Sequence, residues 1–329
     1  MEPVIVDPQI PALNIHALLV DGDYLWIGTY SNGLYRMNTR DPEDRVHFTR
    51  FSDRPGDWNE SVYALYKDVS GILWIGTKTG IYTYDRGRFT RIAYLGYNSD
   101  IVSICGDSKG ALWFASINHG ILRYDPQTRR VAANIRLSNG NIIPLPRQIR
   151  TISFYRNRLW IGTAGFGLFY YDVEKDSYAR VPLDSESENP TILHIIPEND
   201  NLWITTSLGL IRYSIPSEQV SRYNYEDGLL SNSFNPNSGL YASDGNIYLG
   251  ANGGFNFFNP ERLRTNQIPP TVVLTGFYIH GHPVEVGPHT FPQHLAIPRN
   301  ITLKTDHSTC ALRFAVLRSI DSPTILYWS

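Results

Sequence analysis

The sequence predicts an all-β chain: a β-propeller with six visible four-stranded blades, or a seven-bladed ring in which one blade is incomplete, followed by a truncated immunoglobulin-like β-sandwich. Three observations predict it. A five-residue phrase recurs at the spacing of propeller blades, every copy carries similar flanking strands and turns, and no segment sustains the 3.6-residue apolar period of a helix.

The phrase reads LWIGT at 25–29 and 73–77, LWFAS at 112–116, LWIGT at 159–163 and LWITT at 202–206, and weakens to IYLGA at 247–251. Its aromatic second position falls at Trp26, Trp74, Trp113, Trp160, Trp203 and Tyr248, with gaps of 48, 39, 47, 43 and 45 residues. A blade of four strands occupies about 40–50 residues, so each copy marks one blade.

Within a unit the elements follow in a fixed order. A short apolar strand such as VYALYKD or IVSICGD stands ahead of the phrase. Between them lies a turn, clearest at Asp68–Gly71 and Asp107–Gly110, where glycine supplies the positive φ of a tight hairpin. A second turn ends in Gly33, Gly80, Gly120, Gly167 or Gly209 and opens a third strand of the form GLYRMN or GILRYD. A more polar outer strand such as RFTRI completes the unit.

The phrase also dictates how units assemble. Successive strand side chains point to opposite faces, so Leu25 and Ile27 cover one face and Trp26 the other. A strand apolar on both faces must be covered on both, which radial stacking of sheets achieves. A buried Trp removes ~150–250 Å² from water, at most about 4–6 kcal/mol at ~25 cal/mol/Å². The Trp series therefore reads as architecture rather than a ligand box, and Gly28 and its equivalents as points of close approach.

The sixth unit, GLYASDGNIYLGANGGFNFFNP, lacks an obvious outer strand, and Val4-Ile5-Val6 is expected to supply it and close the ring. The repeats stop near Pro260, and Pro269-Pro270 marks a stiff junction. The domains are thus 1–267, the propeller, and 268–329, where TVVLTGFYIHGHPVEV and ITLKTDHSTCALRFAVL read as the first strands of a sandwich.

Composition excludes several classes of function. Hydrophobic residues at 42% against charged residues at 18% support a packed core rather than disorder. A net charge of −2 with scattered basic residues gives no field for nucleic acid. No run approaches the roughly 18 apolar residues of a membrane helix. The first residues lack the features of a secretory signal, so export would depend on an upstream segment. Cys105 and Cys310 read as buried free thiols, with a disulfide as the alternative.

On these residues the chain resembles a known family. The LWIGT–Gly-Leu-Tyr repeats are similar to the regulator-propeller repeats of the periplasmic sensor region of Bacteroidetes hybrid two-component regulators. GLLSNSFNPNSGLYASDGNIYLGANGGFNFFNP, 228–260, resembles the last blade of those sensors, and the segment from Thr271 resembles the triple-tyrosine sandwich that follows it. The resemblance implies a periplasmic module that recognises an oligosaccharide and signals across the inner membrane to a histidine kinase controlling glycan-utilisation genes. It implies a homodimer formed through sensor and sandwich, and membrane attachment only through a segment downstream of this chain. Two departures stand out: that family carries two rings, and Arg318 stands where its sandwich has an aromatic.

A search for chemistry returns little. There is no Gly-x-Ser-x-Gly nucleophile elbow. The glycine-rich 162–167 occupies an inter-strand turn and opens no helix. His280 and His282, with His289 and His294, are weighed as a metal set and set aside, because zinc needs three or four converging ligands. The Asp68 and Asp107 turns resemble sialidase hairpins, which are structural. The chain is therefore expected to be non-catalytic and to need no cofactor or metal. An interaction scaffold, or a propeller glycan hydrolase or lyase, remains the alternative.

Sugars need flat apolar platforms for their C–H faces and amide or charged groups for their hydroxyls. The turns after the phrase and the inter-blade loops offer Tyr30, Trp58 and Phe166 as platforms, and Asn32, Asn59, Asn118, His119 and Arg147 as polar partners. The long insertion 138–148 is the loop most open to a functional role.

Overall fold

The computed structural model describes residues 14–40, 49–51, 61–92, 100–133, 135, 137, 139–146, 148–183, 190–263, 271–283, 309–317 and 326–328. Two compact units are present, Met1–Arg262 with Ile325–Ser329, and Leu263–Thr324.

The first unit is a stack of six antiparallel sheets of four strands each. The first holds β1 (Ile15–Asp21), β2 (Tyr24–Thr29), β3 (Leu34–Asn38) and β4 (Thr49–Phe51). The second holds β5 (Val62–Lys67), β6 (Leu73–Thr77), β7 (Gly80–Asp85) and β8 (Arg88–Arg91). The third holds β9 (Ile101–Gly106), β10 (Leu112–Ser116), β11 (Gly120–Asp125) and β12 (Arg130–Ala133). The fourth holds β13 (Ile149–Tyr155), β14 (Arg158–Thr163), β15 (Leu168–Asp172) and β16 (Ser177–Val181). The fifth holds β17 (Ile192–Glu198), β18 (Asn201–Thr206), β19 (Gly209–Ser214) and β20 (Val220–Tyr223). The sixth begins with β21 (Phe234–Tyr241), β22 (Ile247–Ala251) and β23 (Gly254–Phe258).

In the second unit β24 (Thr271–Ile279) pairs with β25 (His282–Pro283) across the His280-Gly281 turn and with β26 (Cys310–Leu317). The sixth blade is completed by β27 (Leu326–Trp328), which runs antiparallel to β23 with Phe255 opposite Trp328 and Phe257 opposite Leu326. This corrects the expectation for Val4–Val6, which lie outside the described residues. The exposed edge of β23 takes any short extended segment, and backbone pairing does not select between two such candidates by sequence.

Strands β1, β5, β9, β13, β17 and β21 lie side by side in that order, and β21 returns to β1. The propeller is a ring of six blades, with these first strands innermost. The phrase occupies the second strand of every blade, and each of its positions has one task. Trp26 packs with Leu73 and Ile75 of the next blade, Trp74 with Leu112 and Phe114, Trp113 with Leu159 and Ile161, and Trp160 with Leu202 and Ile204. Trp203 meets Phe258 edge-on at 4.9 Å. In blades one and four the fourth position is a glycine with no room for a side chain, although blade five carries Thr205 there: a Cβ on Gly28 would lie 2.7 Å from Val62 Cγ1, and one on Gly162 would lie 2.5 Å from Ile192 Cγ2. Each of those neighbours opens the next blade's inner strand.

The closure differs from the other junctions. Leu18 and Val20, on the face of blade one turned away from blade two, are 58% and 73% exposed, and Leu240 on the matching face of blade six is 60% exposed. Inner strands meet there, while these apolar positions remain in solvent.

Candidate functional site

The fifth position of the phrase fixes one end of the ring. Thr29 Oγ1 donates to Gly33 O at 2.7 Å, and Thr77, Thr163 and Thr206 do the same for the glycine closing their own turns. The next residue ties that turn to the start of the blade's inner strand. Tyr30 N donates to Asn14 O (2.8 Å), Lys78 N to Ser61 O (3.0 Å), Ile117 N to Asp100 O (3.1 Å), Ala164 N to Gln148 O (3.1 Å) and Ser207 N to Thr191 O (3.0 Å). The turns after the phrase and the starts of the inner strands therefore share one end of the propeller, around the mouth of its axis.

At that mouth the inner strands slip in register. The slip leaves out His16, between Ile15 and Ala17, and likewise Tyr63, Val102, Arg150 and Leu193 in the next four blades. In blade six it is larger, and Asn235–Ser238 stand outside the pairing. Such bulges bend a strand and re-aim side chains. In blades two and four the flanking residues Val62, Ala64, Ile149 and Thr151 are buried, whereas Arg150 is exposed and Tyr63 half-buried; in blade one Ile15 is itself exposed. An innermost strand has only the axis beside it, so these residues form a collar around the lumen. One bond shows how narrow the lumen is: Asn237 Nδ2 in blade six donates to Val102 O in blade three, 2.8 Å away.

One side of the collar is aromatic. His16 stacks on Tyr30 at 5.5 Å with 26° between planes, and lies 5.6 Å from Tyr63. Ser61 Oγ accepts from Ser31 N at 3.2 Å, holding the turn that carries Tyr30. Burial lowers the pKa of His16 below its usual 6.5, so the stack is neutral near pH 7. His194 lies deeper. Its Nδ1 is closed off from solvent, Nε2 is 3.1 Å from Gly239 O, and burial holds its pKa down at about 4, against the opposing pull of the Gly239 and Asn237 hydrogen bonds.

Of the sequence-predicted residues, Tyr30 (47% exposed) joins the aromatic stack and Phe166 (50% exposed) stands on the turn of blade four. Asn32 is half-buried beside Tyr30's turn, Asn118 is exposed and His119 half-buried on the turn of blade three, and His119 N donates to Ser116 Oγ. Trp58, Asn59 and Arg147 lie outside the described residues. The collar residues His16, Tyr63, Arg150 and Asn237 were missed. For the first three the signal is positional: aligning IHALLVD, VYALYKD, IVSICGD, IRTISFY and ILHIIPE puts the collar at the second residue of the first five inner strands, whereas Asn237 is the fourth residue of β21.

The opposite end of the propeller is structural. Asp68 accepts from Ser70 N, Ile72 N and Trp74 Nε1, and Asp107 repeats the pattern with Lys109 N, Ala111 N and Trp113 Nε1. Cys105 is a free thiol whose pKa burial and Asp107 push up. Among the described residues no three His, Cys, Asp or Glu converge as metal ligands, and no helix is long and apolar enough to cross a membrane. His289 and His294 lie outside the described residues.

Residues 56–79 match the family described as two component regulator propeller. The chain is similar to histidine kinase P4 of Formosa agariphila, 24% identical over 333 residues, covering 95% of this chain and 24% of the kinase. In structure it is similar to the extracellular domain of a hybrid two component system from B. thetaiotaomicron, with a TM-score of 0.68, 23% identity, and coverage of 92% of this chain and 41% of that one. Virginiamycin B lyase from Staphylococcus aureus shares the propeller at a TM-score of 0.58 and 13% identity, over 78% of this chain and 83% of the lyase. The chain thus spans 24% of the kinase and 41% of the extracellular domain that it matches. One repeat, residues 56–79, thus matches the two component regulator propeller family, and the chain resembles in fold the extracellular domains of hybrid two component systems.

Proposed function

We propose that this propeller is the ligand-receiving part of a periplasmic two-component sensor and that it binds an oligosaccharide at the mouth of its axis. The observation that carries the reading is the stack of His16 on Tyr30 beside Tyr63, a neutral aromatic platform at one end of the lumen. Sugar C–H faces pack on such rings, and the amides of Asn32, Asn118 and Asn235 around the same mouth suit hydroxyl groups. The site performs no chemistry in this reading. Binding biases the arrangement of two copies of the sensor, the second unit passes that bias towards a kinase outside this chain, and transcription of glycan-utilisation genes follows. Titration calorimetry against plant, host and microbial oligosaccharides tests it. One class is expected to bind and to lose its heat with Tyr30→Ala and Tyr63→Ala, whereas a folded sample silent to every sugar contradicts direct sensing. Release of a cleaved product would instead favour a hydrolase or lyase.

A scaffold reading is favoured by one observation, the exposed apolar positions Leu18, Val20 and Leu240 at the ring closure. It predicts ligand-independent self-association in sedimentation equilibrium that Leu18→Ser and Leu240→Ser abolish.

A further inference from the structure

We infer that the collar selects an anionic saccharide, one bearing a carboxylate or sulfate, with Arg150 as the group that reads the charge. The inference rests on the oligosaccharide reading above and narrows it.

Arg150 is the second residue of β13, set outside the pairing by the slip between Ile149 and Thr151. Both neighbours are fully buried while Arg150 is exposed, so its side chain has only the lumen and its mouth to enter. Among the described residues it makes no ion pair, whereas Arg158 is paired with Asp172 at 3.2 Å and Arg40 with Asp23 at 2.6 Å. The remaining collar residues are His16, Tyr63, Val102, Leu193 and Asn235–Ser238, and none is acidic. The collar therefore carries a single formal charge, and it is positive.

The positions around the ring complete the picture. The aromatic stack belongs to blades one and two and Arg150 to blade four, and the lumen between is narrow enough for one asparagine to bridge blades six and three. A sugar ring lying on Tyr30 and Tyr63 thus directs a substituent over the Asn237–Val102 bond, which runs between the stack and blade four, toward the guanidinium. A planar guanidinium offers two parallel N–H donors to a carboxylate or sulfate and is little rewarded by a lone hydroxyl. Neutral sugars leave that charge unanswered in a partly enclosed site.

Calorimetry on the whole chain with matched pairs tests the inference: oligogalacturonate against its methyl ester, and a sulfated chondroitin oligosaccharide against its desulfated, carboxyl-reduced form. The acidic member of one pair is expected to bind, its neutral counterpart at least about ten-fold more weakly, with affinity falling as salt rises. A response to oligogalacturonate assigns a carboxylate, and for the chondroitin pair a third member, desulfated but with its carboxylates kept, tells carboxylate from sulfate. Arg150→Gln is expected to weaken the acidic ligand about ten- to hundred-fold with an unchanged melting temperature, and Arg150→Lys to recover part of it. Equal binding of neutral and acidic members, or an unaffected Arg150→Gln, overturns the charge assignment. If that binding is still lost in Tyr63→Ala, the mouth reading stands without it. Absence of binding by every member overturns the assignment, and silence across neutral panels as well removes the reading beneath it.

Discussion

Asn237 spans the propeller axis: its Nδ2 donates to the carbonyl of Val102, 2.8 Å away, and so joins the sixth inner strand to the third. The long slip of β21 makes this reach possible, because four residues stand outside the pairing with β22, and Asn237 itself takes a left-handed φ of 54°. The lumen is crossed at this level.

Asn237→Ala removes that crossing and leaves a carbonyl without its donor, a loss of about 1–3 kcal/mol. Urea unfolding should show the midpoint falling with little change in slope. An unchanged midpoint would mean that the bond contributes nothing in solution.

Gly162→Ala tests the packing between blades. The added methyl would meet Ile192 Cγ2 at 2.5 Å and Thr151 Cγ2 at 2.7 Å, so blade five must move away from blade four. We expect a loss of about 1–3 kcal/mol by chemical denaturation, as for other overpacked interiors.

The Asp–Trp couple on the far end persists even where Trp is replaced. In blade six Tyr248 Oη donates to Asp244 Oδ2 at 2.7 Å, as Trp74 Nε1 donates to Asp68 Oδ2 at 2.8 Å. Asp68→Ala frees three donors and should cost about 1–3 kcal/mol with a changed near-ultraviolet dichroism, whereas Tyr248→Phe, which removes only an exposed hydroxyl bond to Asp244, should change the stability by no more than a few tenths of a kcal/mol.

His194 makes stability depend on pH. Its pKa in the fold is about 4 against an ordinary 6.5, so between those values the unfolded chain holds more protons than the folded one. Its contribution is complete above pH 6.5 and is lost as pH falls towards 4, at most about 3 kcal/mol. Urea midpoints measured from pH 7.5 down to 4.5 should fall for the wild type and fall less steeply for His194→Gln.

Cys105 is protected by the same physics. Burial and Asp107 hold its thiol protonated well above the usual range, so in a Cys310→Ser chain, where Cys105 is the one remaining cysteine, the native protein should not react with a thiol-specific disulfide reagent at pH 8 and should react once after unfolding. Reaction in the native state would place the thiol in solvent.

The fold was legible where side chains carry it. Leu, Trp, Ile, Gly and Thr of the repeat each have one task, and a period near 45 residues says how often the task recurs. The outer strand of blade six was not legible, because a three-residue extended segment gains its place from backbone pairing and both candidate segments can pair. Tyr30 was found because an aromatic on an exposed turn is visible in sequence. Tyr63 and Arg150 were not, because they sit inside apolar strands, and only the register slip turns them from alternating strand residues into lumen residues. Slips are a property of pairing between strands, which one strand's sequence does not record.

The most direct test of the account is a crystal structure with the oligosaccharide that binds in calorimetry. A sugar ring lying against Tyr30 and Tyr63, above the Asn237 crossing, is the predicted result. Sugar density at the Asp68 and Asp107 turns, or along Leu18 and Leu240 at the ring closure, would contradict it.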